Sequence, residues 1–192
     1  MILLIIAILI HIYTTFLTHK RVKHNGTIHR RPLYDLIHTH TPNLNKYSIY
    51  LDLLIFIFVV PFITNYNSKA IINFINIFSI IIILRSFAIL MTDIPSSDKE
   101  CDPNNISIYN IIFGHCSDKI FSNHTAFTLL ALLVIYEFNL LNMGQLLMLG
   151  LFQILYALLI IITRAHYSVD VLLSYYIVVP LYYLIKHNKI FN

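Results

Sequence analysis

Six apolar runs account for most of this chain: Ile2–Leu17, Tyr47–Thr64, Ala70–Met91, Thr125–Leu141, Met143–Thr163 and Val169–Ile185. A helix rises about 1.5 Å per residue, so about 17–25 mostly apolar residues span a hydrocarbon core. Most of the runs reach that length, and the first is marginal. Charged residues make up only 11% of the 192 and hydrophobic ones 58%, with a mean hydropathy of +0.74. A soluble domain of this length needs far more charge to cover its surface. The expectation is an all-α, polytopic membrane protein with six transmembrane helices in one bundle, a single domain over residues 1–192. No internal repeat or low-complexity tract interrupts it. The first run lacks a basic leader and an A-x-A-like cleavage site, so it reads as a retained helix. Between the fourth and fifth runs only "NLLNMG" (Asn139–Gly144) intervenes, which predicts a tight helical hairpin. Pro61 and Pro180 fall near helix ends or where neighbouring helices re-satisfy the backbone.

Sidedness is contested by two signals. Six of the thirteen Lys and Arg residues (Lys20, Arg21, Lys23, Arg30, Arg31 and Lys46) lie between the first and second runs. The positive-inside rule makes that loop cytoplasmic. The two cysteines, Cys101 and Cys116, share the other large polar loop, on the same face, as a disulfide in an oxidising lumen would require. The acceptor patterns Asn25-Gly26-Thr27 and Asn105-Ile106-Ser107 also fall on that face. Composition leaves orientation open.

A charge at mid-membrane costs about 2.5–3.5 kcal/mol on insertion scales. Asp52, Arg85, Asp93, Glu137, Arg164 and Asp170 therefore each need a reason. Six antiparallel helices bring the openings of runs 2, 4 and 6 to one face, together with the closing ends of runs 1, 3 and 5. His124, His166, Asp170, Arg85, Asp93 and Arg164 all land at that boundary. His166 and Asp170 stand four apart, on one face of a helix, where the carboxylate fixes the tautomer of the imidazole. The plainer alternative is a polar pair satisfying itself at a helix start. Ser122 and Asn123 are natural N-cap residues for the fourth helix, with His124 on its first turn. A helix N-terminus favours an anion, and a nearby His can protonate it. Taken alone, that stretch reads equally as a capped helix with an interfacial histidine. Two histidines, a carboxylate and two arginines at one boundary suit an anionic group such as phosphate.

Other features carry less. Six of the ten histidines precede Thr41, including "HTH" at His38–His40. Without cysteine partners or helical His pairs they read as a solvated loop and not as a metal site. Glu137 has no assigned role. The 13 Tyr and 13 Phe suit interface belts. With four glycines in all, no glycine-rich phosphate loop is present. The basic pI of about 9.0 points to headgroups and not to nucleic acid.

Four stretches, in order, resemble the sphingomyelin synthase family of the lipid phosphatase and phosphotransferase superfamily. "RRPLYDLIHTHTPNL" (Arg30–Leu44) is similar to its PLPD-type segment, and "LRSFAILMTDIPSSDKEC" (Leu84–Cys101) to its LR…T-x-LP…C motif. "GHCSDKIFSNHTAF" (Gly114–Phe127) resembles CGD…SGHT, and "RAHYSVDVLLSYY" (Arg164–Tyr176) resembles HYT-x-DV…AYY. The last two are specific, and the first two corroborate through order and spacing. The family's catalytic triad then falls on His124, His166 and Asp170. The resemblance implies metal-free, cofactor-free ping-pong transfer of a phospho-headgroup from a glycerophospholipid to the primary hydroxyl of ceramide. A phosphohistidine at His166 is the intermediate, and diacylglycerol leaves. Phosphocholine is the first-choice headgroup, then phosphoethanolamine and phosphoinositol. Arg85 and Arg164 are candidates to neutralise the phosphoryl oxygens.

The resemblance also implies cytosolic termini and a lumenal or extracellular site, in a Golgi-like endomembrane or the plasma membrane. Its lipid partners are ceramide, a glycerophospholipid and diacylglycerol. The chain departs from the pattern at Asn123, in place of the glycine of S-G-H-T, at Ser117, at "IPSSD", and at Ala165 beside His166. The rival readings are a lipid phosphatase or phospholipase C-like hydrolase with the same triad, and a catalytically silent lipid binder.

Overall fold

The computed structural model describes residues 1–25, 32–92, 94–95, 120–188 and 190. Cys101, Cys116, Asp93 and Ser117, and with them the disulfide expectation, lie outside the described residues. All regular structure among the described residues is helical. It comprises α1 (Ile2–Asn25), the one-turn α2 (Leu36–His40), a short 3-10 turn at Asn45–Tyr47, and α3 (Ile49–Thr64). These are followed by α4 (Ser68–Met91), α5 (Asn123–Glu137), α6 (Met143–Ile162) and α7 (Ser168–His187).

The six apolar runs are six helices, but they are not six equal spans. The stretch Ile2–Arg21 of α1, together with α4, α6 and α7, is long and apolar enough to cross a bilayer. With 16 and 15 residues, α3 and α5 are shorter. The first run, expected to end at Leu17, continues as helix to Asn25 because its polar end is docked. The Arg21 guanidinium donates to the carbonyls of Leu90 (2.6 Å), Thr92 (3.3 Å) and Ile89 (3.4 Å), satisfying the last turn of α4. The fourth run, expected to reach Leu141, stops at Glu137. Asn139 takes a left-handed conformation (φ 49°) and the Leu140 N–H closes onto Ile135 O at 3.0 Å, a Schellman ending. Asn142 then caps α6 in reciprocal bonds with Gln145. This is the tight hairpin that "NLLNMG" predicts.

The short α5 sits at the centre of the bundle, packed against α3, α4, α6 and α7. Its Ala126, Leu130, Ala131, Val134 and Ile135 are fully buried and meet Phe58, Ile77, Ile81 and Val178. The outer faces, such as Leu147, Met148, Leu151, Ile154 and Leu155 on α6, remain exposed and apolar, as lipid contact requires. Four helices long and apolar enough to cross a bilayer make this an integral membrane protein. At one end of the bundle Tyr182 on α7 donates to the Glu137 carboxylate, and Lys186 pairs with it at 3.0 Å. Glu137 therefore ties α5 to α7, a role not visible in the sequence. The opposite end carries the first turns of α3, α5 and α7.

Candidate active site

Two corners of chain, immediately before α5 and α7, set the site. Phe121 (φ 62°) and Arg164 (φ 58°) both occupy the left-handed region, which costs a non-glycine residue about 1 kcal/mol. Each corner is held by an arginine. Arg85 on α4 donates from Nε to the Phe121 carbonyl at 3.0 Å. Arg164 takes the left-handed position that ends α6, and its Nη2 donates to the carbonyls of His38 (2.6 Å) and Thr41 (3.0 Å). The two helix starts are also tied directly. The Ser122 N–H donates to the Asp170 carbonyl at 3.3 Å, and the buried Ser174 hydroxyl lies 2.9 Å from the carbonyls of both Ser122 and Asp170. Ser122 is the N-cap of α5, with its hydroxyl accepting from the Thr125 N–H, as the sequence predicts.

On these tied helix starts the two histidines face each other, with ring centroids 6.3 Å apart and planes at 66°. Each has its own carboxylate. His166 Nδ1 lies 3.7 Å from Asp170 Oδ2, which also accepts the Tyr167 N–H at 3.1 Å. This is the i, i+4 pair expected from the sequence. His124 Nε2 lies 3.0 Å from Oδ1 of Asp52, on the first turn of α3. That partnership is not readable from the chain, since 72 residues separate the two. Its only advance signal was a lone carboxylate near the opening of an apolar run, at the boundary where the site converges. A carboxylate accepts, so His124 carries its proton on Nε2. That leaves Nδ1, buried with no hydrogen-bond partner among the described residues, as the nitrogen free to give or take a proton.

Arg85 reaches the same place from α4. Its Nη1 lies 3.5 Å from His11 Nε2, and His11 Nδ1 lies 3.4 Å from the Ser86 hydroxyl. A guanidinium can only donate, so His11 accepts at Nε2 and donates from Nδ1 to Ser86, whose own proton goes to Ile82 O at 2.8 Å. His11, halfway along α1, is the second site residue that the sequence reading passed over. Arg164, by contrast, is committed to the α2 segment and does not line the cavity described next.

That cavity, of about 920 Å³, is walled by α1 on one side and α3 on the other, with α4 and α5 behind. Ile8, Ile12, Leu53, Phe56, Ile82 and Phe127 make its apolar walls, while His11, Asp52, Arg85, Asn123 and His124 supply its polar groups. A long apolar slot with a few convergent polar groups is the form of a site for one lipid-like molecule.

The segment before α3 braces the corner and is more than a solvated loop. Asp35 caps α2, accepting the N–H groups of Ile37 (3.0 Å) and His38 (3.1 Å). It also accepts the Ser168 N–H (2.6 Å) and hydroxyl (2.9 Å), at the start of α7. Burial alone would raise the Asp35 pKa. The bonds from Ser168 and His38, together with the nearby His38 ring, outweigh burial and hold the carboxyl below its ordinary value. The Tyr167 hydroxyl accepts the Leu33 N–H and donates to Pro95 O, both at 3.1 Å.

The site thus has the make-up of a lipid phosphotransferase: paired imidazoles for covalent and proton chemistry, of which His124 lines an apolar cavity and His166 lies behind it, outside the lining. Comparison with known proteins agrees. Residues 115–188 match the family described as "PAP2 superfamily C-terminal", a stretch that includes His124, His166 and Asp170. The chain is 30% identical over 130 residues to a phosphatidylinositol:ceramide inositolphosphotransferase of Trypanosoma cruzi (strain CL Brener), covering 61% of this chain and 39% of that protein. It is 25% identical over 132 residues to the protein of the same name from Leishmania major, covering 62% and 39%. The chain therefore spans about two-fifths of the length of these curated relatives. These comparisons support the resemblance to the sphingomyelin synthase-like lipid phosphotransferases, and the family match covers the stretch that holds the last two of its four motifs.

Proposed function

We propose that this protein is a single-domain, six-helix membrane phosphotransferase that moves a phospho-headgroup from a glycerophospholipid to ceramide. The observation that carries the reading is the pair of facing imidazoles, each with its own carboxylate, beside a lipid-sized cavity. Asp170 orients His166 through Nδ1 and presents Nε2 to phosphorus. His166 Nε2 attacks, the bond from phosphorus to the diacylglycerol oxygen breaks, and His124 gives that oxygen a proton from Nδ1. The headgroup stays on His166 as a phosphohistidine. His124 Nδ1, now unprotonated, takes the proton of the ceramide primary hydroxyl. The alkoxide oxygen bonds to phosphorus, the N–P bond breaks, and His166 is restored. Asp52 stabilises the imidazolium that His124 is before the first step and becomes again on taking the ceramide proton. Arg85 is the candidate to face the phosphoryl oxygens. Arg164 is assigned chiefly to holding the corner before His166.

The names of the two curated relatives favour phosphatidylinositol as donor over the phosphatidylcholine that stands first on sequence grounds. The family likeness supports a lumenal or extracellular site.

The test uses purified protein in mixed micelles with fluorescent ceramide and, separately, phosphatidylinositol, phosphatidylcholine or phosphatidylethanolamine. A fluorescent phosphosphingolipid from one donor, absent with His166→Ala, establishes the transferase and names the donor. Release of free headgroup with no ceramide product assigns the site to hydrolysis instead.

A further inference from the structure

Asn123 stands beside His124 on the wall of the cavity, and its Oδ1 is buried with no hydrogen-bond partner among the described residues. A buried acceptor without a donor is costly, and because Asn123 lines the cavity, a turn of its side chain that brings Oδ1 to a donor held there relieves that cost. The neighbouring residue, on the transferase reading above, takes the proton of the acceptor's primary hydroxyl. Asn123 therefore lies next to the groups attached one carbon further along that lipid.

This placement matters because the site must exchange one lipid for another between half-reactions. The leaving diacylglycerol and the incoming ceramide both offer a primary hydroxyl beside a substituted carbon. In diacylglycerol that carbon bears an ester oxygen, which can only accept. In ceramide it bears an amide N–H, which donates. We propose that Asn123 is a specificity-determining residue for the acceptor. Its Oδ1 accepts the ceramide amide N–H, so that ceramide replaces diacylglycerol on the free side of the phosphohistidine. The inference rests on the transferase reading and adds to it the group that tells acceptor from leaving lipid. Glycine, the residue at this place in the S-G-H-T pattern, has no side chain with which to do this.

The test compares kcat/KM for ceramide and for N-methylceramide, which lacks the amide donor, in the wild-type chain and in Asn123→Gly, with one phospholipid donor at saturation. The wild type is expected to favour ceramide by about tenfold or more, the worth of one buried hydrogen bond left unmade. Asn123→Gly is expected to bring the ratio near one by lowering the value for ceramide. A wild-type ratio near one, or a ratio unchanged in Asn123→Gly, overturns the proposal while leaving the transferase reading intact. A ratio that closes through a rise for N-methylceramide reports relieved crowding and overturns it as well. Folded wild-type protein that makes no phosphosphingolipid from any donor overturns both.

Discussion

Asp52 illustrates how a single side chain can decide the chemistry of its neighbour. Bound at 3.0 Å to His124 Nε2, it fixes which imidazole nitrogen is free to move a proton, and it lowers the cost of the imidazolium. Asp52→Asn keeps the shape and removes the charge, and can hold the ring in the wrong tautomer. Headgroup transfer is expected to fall by about 10²-fold or more, on the scale of lost acid–base assistance. Rates in mixed micelles, normalised to protein recovered by gel filtration, check this. An Asp52→Asn variant as fast as wild type would remove Asp52 from the mechanism. Asp170 has a second duty, since the oxygen facing His166 also accepts the Tyr167 N–H and so holds the first turn of α7.

Among the elements, one-turn α2 does the most with the least sequence. Five residues are too few to be stable as a helix by themselves, so the turn depends on Asp35, which caps it and grips Ser168 at the start of α7. Asp35→Ala is expected to cost about 1–3 kcal/mol, from a lost cap and lost bonds to a carboxylate. Transfer should fall with it, because the corner bearing His166 loses its brace. Thermal unfolding in detergent, alongside initial rates, checks both. The pH dependence has a definite sign. Asp35 titrates below its ordinary value in the folded protein, so the unfolded chain takes up the proton first on acidification. Its contribution is complete above about pH 4 and is lost as pH falls through the lower folded value. Below about pH 4 the wild-type Tm should therefore fall more steeply than that of Asp35→Ala.

At the scale of the whole molecule, the bundle has one end that carries the candidate site and one structural end. The corners before α5 and α7 and the α2 segment share the first, while the α3–α4 turn, the α5–α6 turn and the Glu137–Lys186 pair share the second. If α3 and α5 cross the membrane despite their length, the turns at Tyr66 and at Leu141 lie on one side and Thr39 on the other. Single cysteines at these positions, in a Cys101→Ser, Cys116→Ser background in sealed vesicles, should label with an impermeant thiol reagent in two groups. Tyr66 and Leu141 are expected to react together and Thr39 oppositely. Labelling of Tyr66 and Thr39 from the same side would leave α3 a re-entrant helix.

Much of this was legible in the chain. Apolar run length determined the all-helical membrane class, because a bilayer admits few other ways to satisfy a backbone. Fourfold spacing pointed to the His166–Asp170 pair, although His166 stands just before the Tyr167 N-cap of α7 and not on the helix itself, and Ser122 declared the start of α5. The convergence of His124 with His166 followed from counting antiparallel runs. What the chain alone could not show was every contact between runs: Asp52 with His124, His11 with Arg85, Asp35 with Ser168, and Ser174 across two helix starts. Helix rotation decides those contacts, and the apolar runs here are nearly featureless around their circumference. Only the packing of α1, α3 and α4 around a short central α5 turned isolated polar residues into pairs and left beside them the cavity that Asn123 and His124 share.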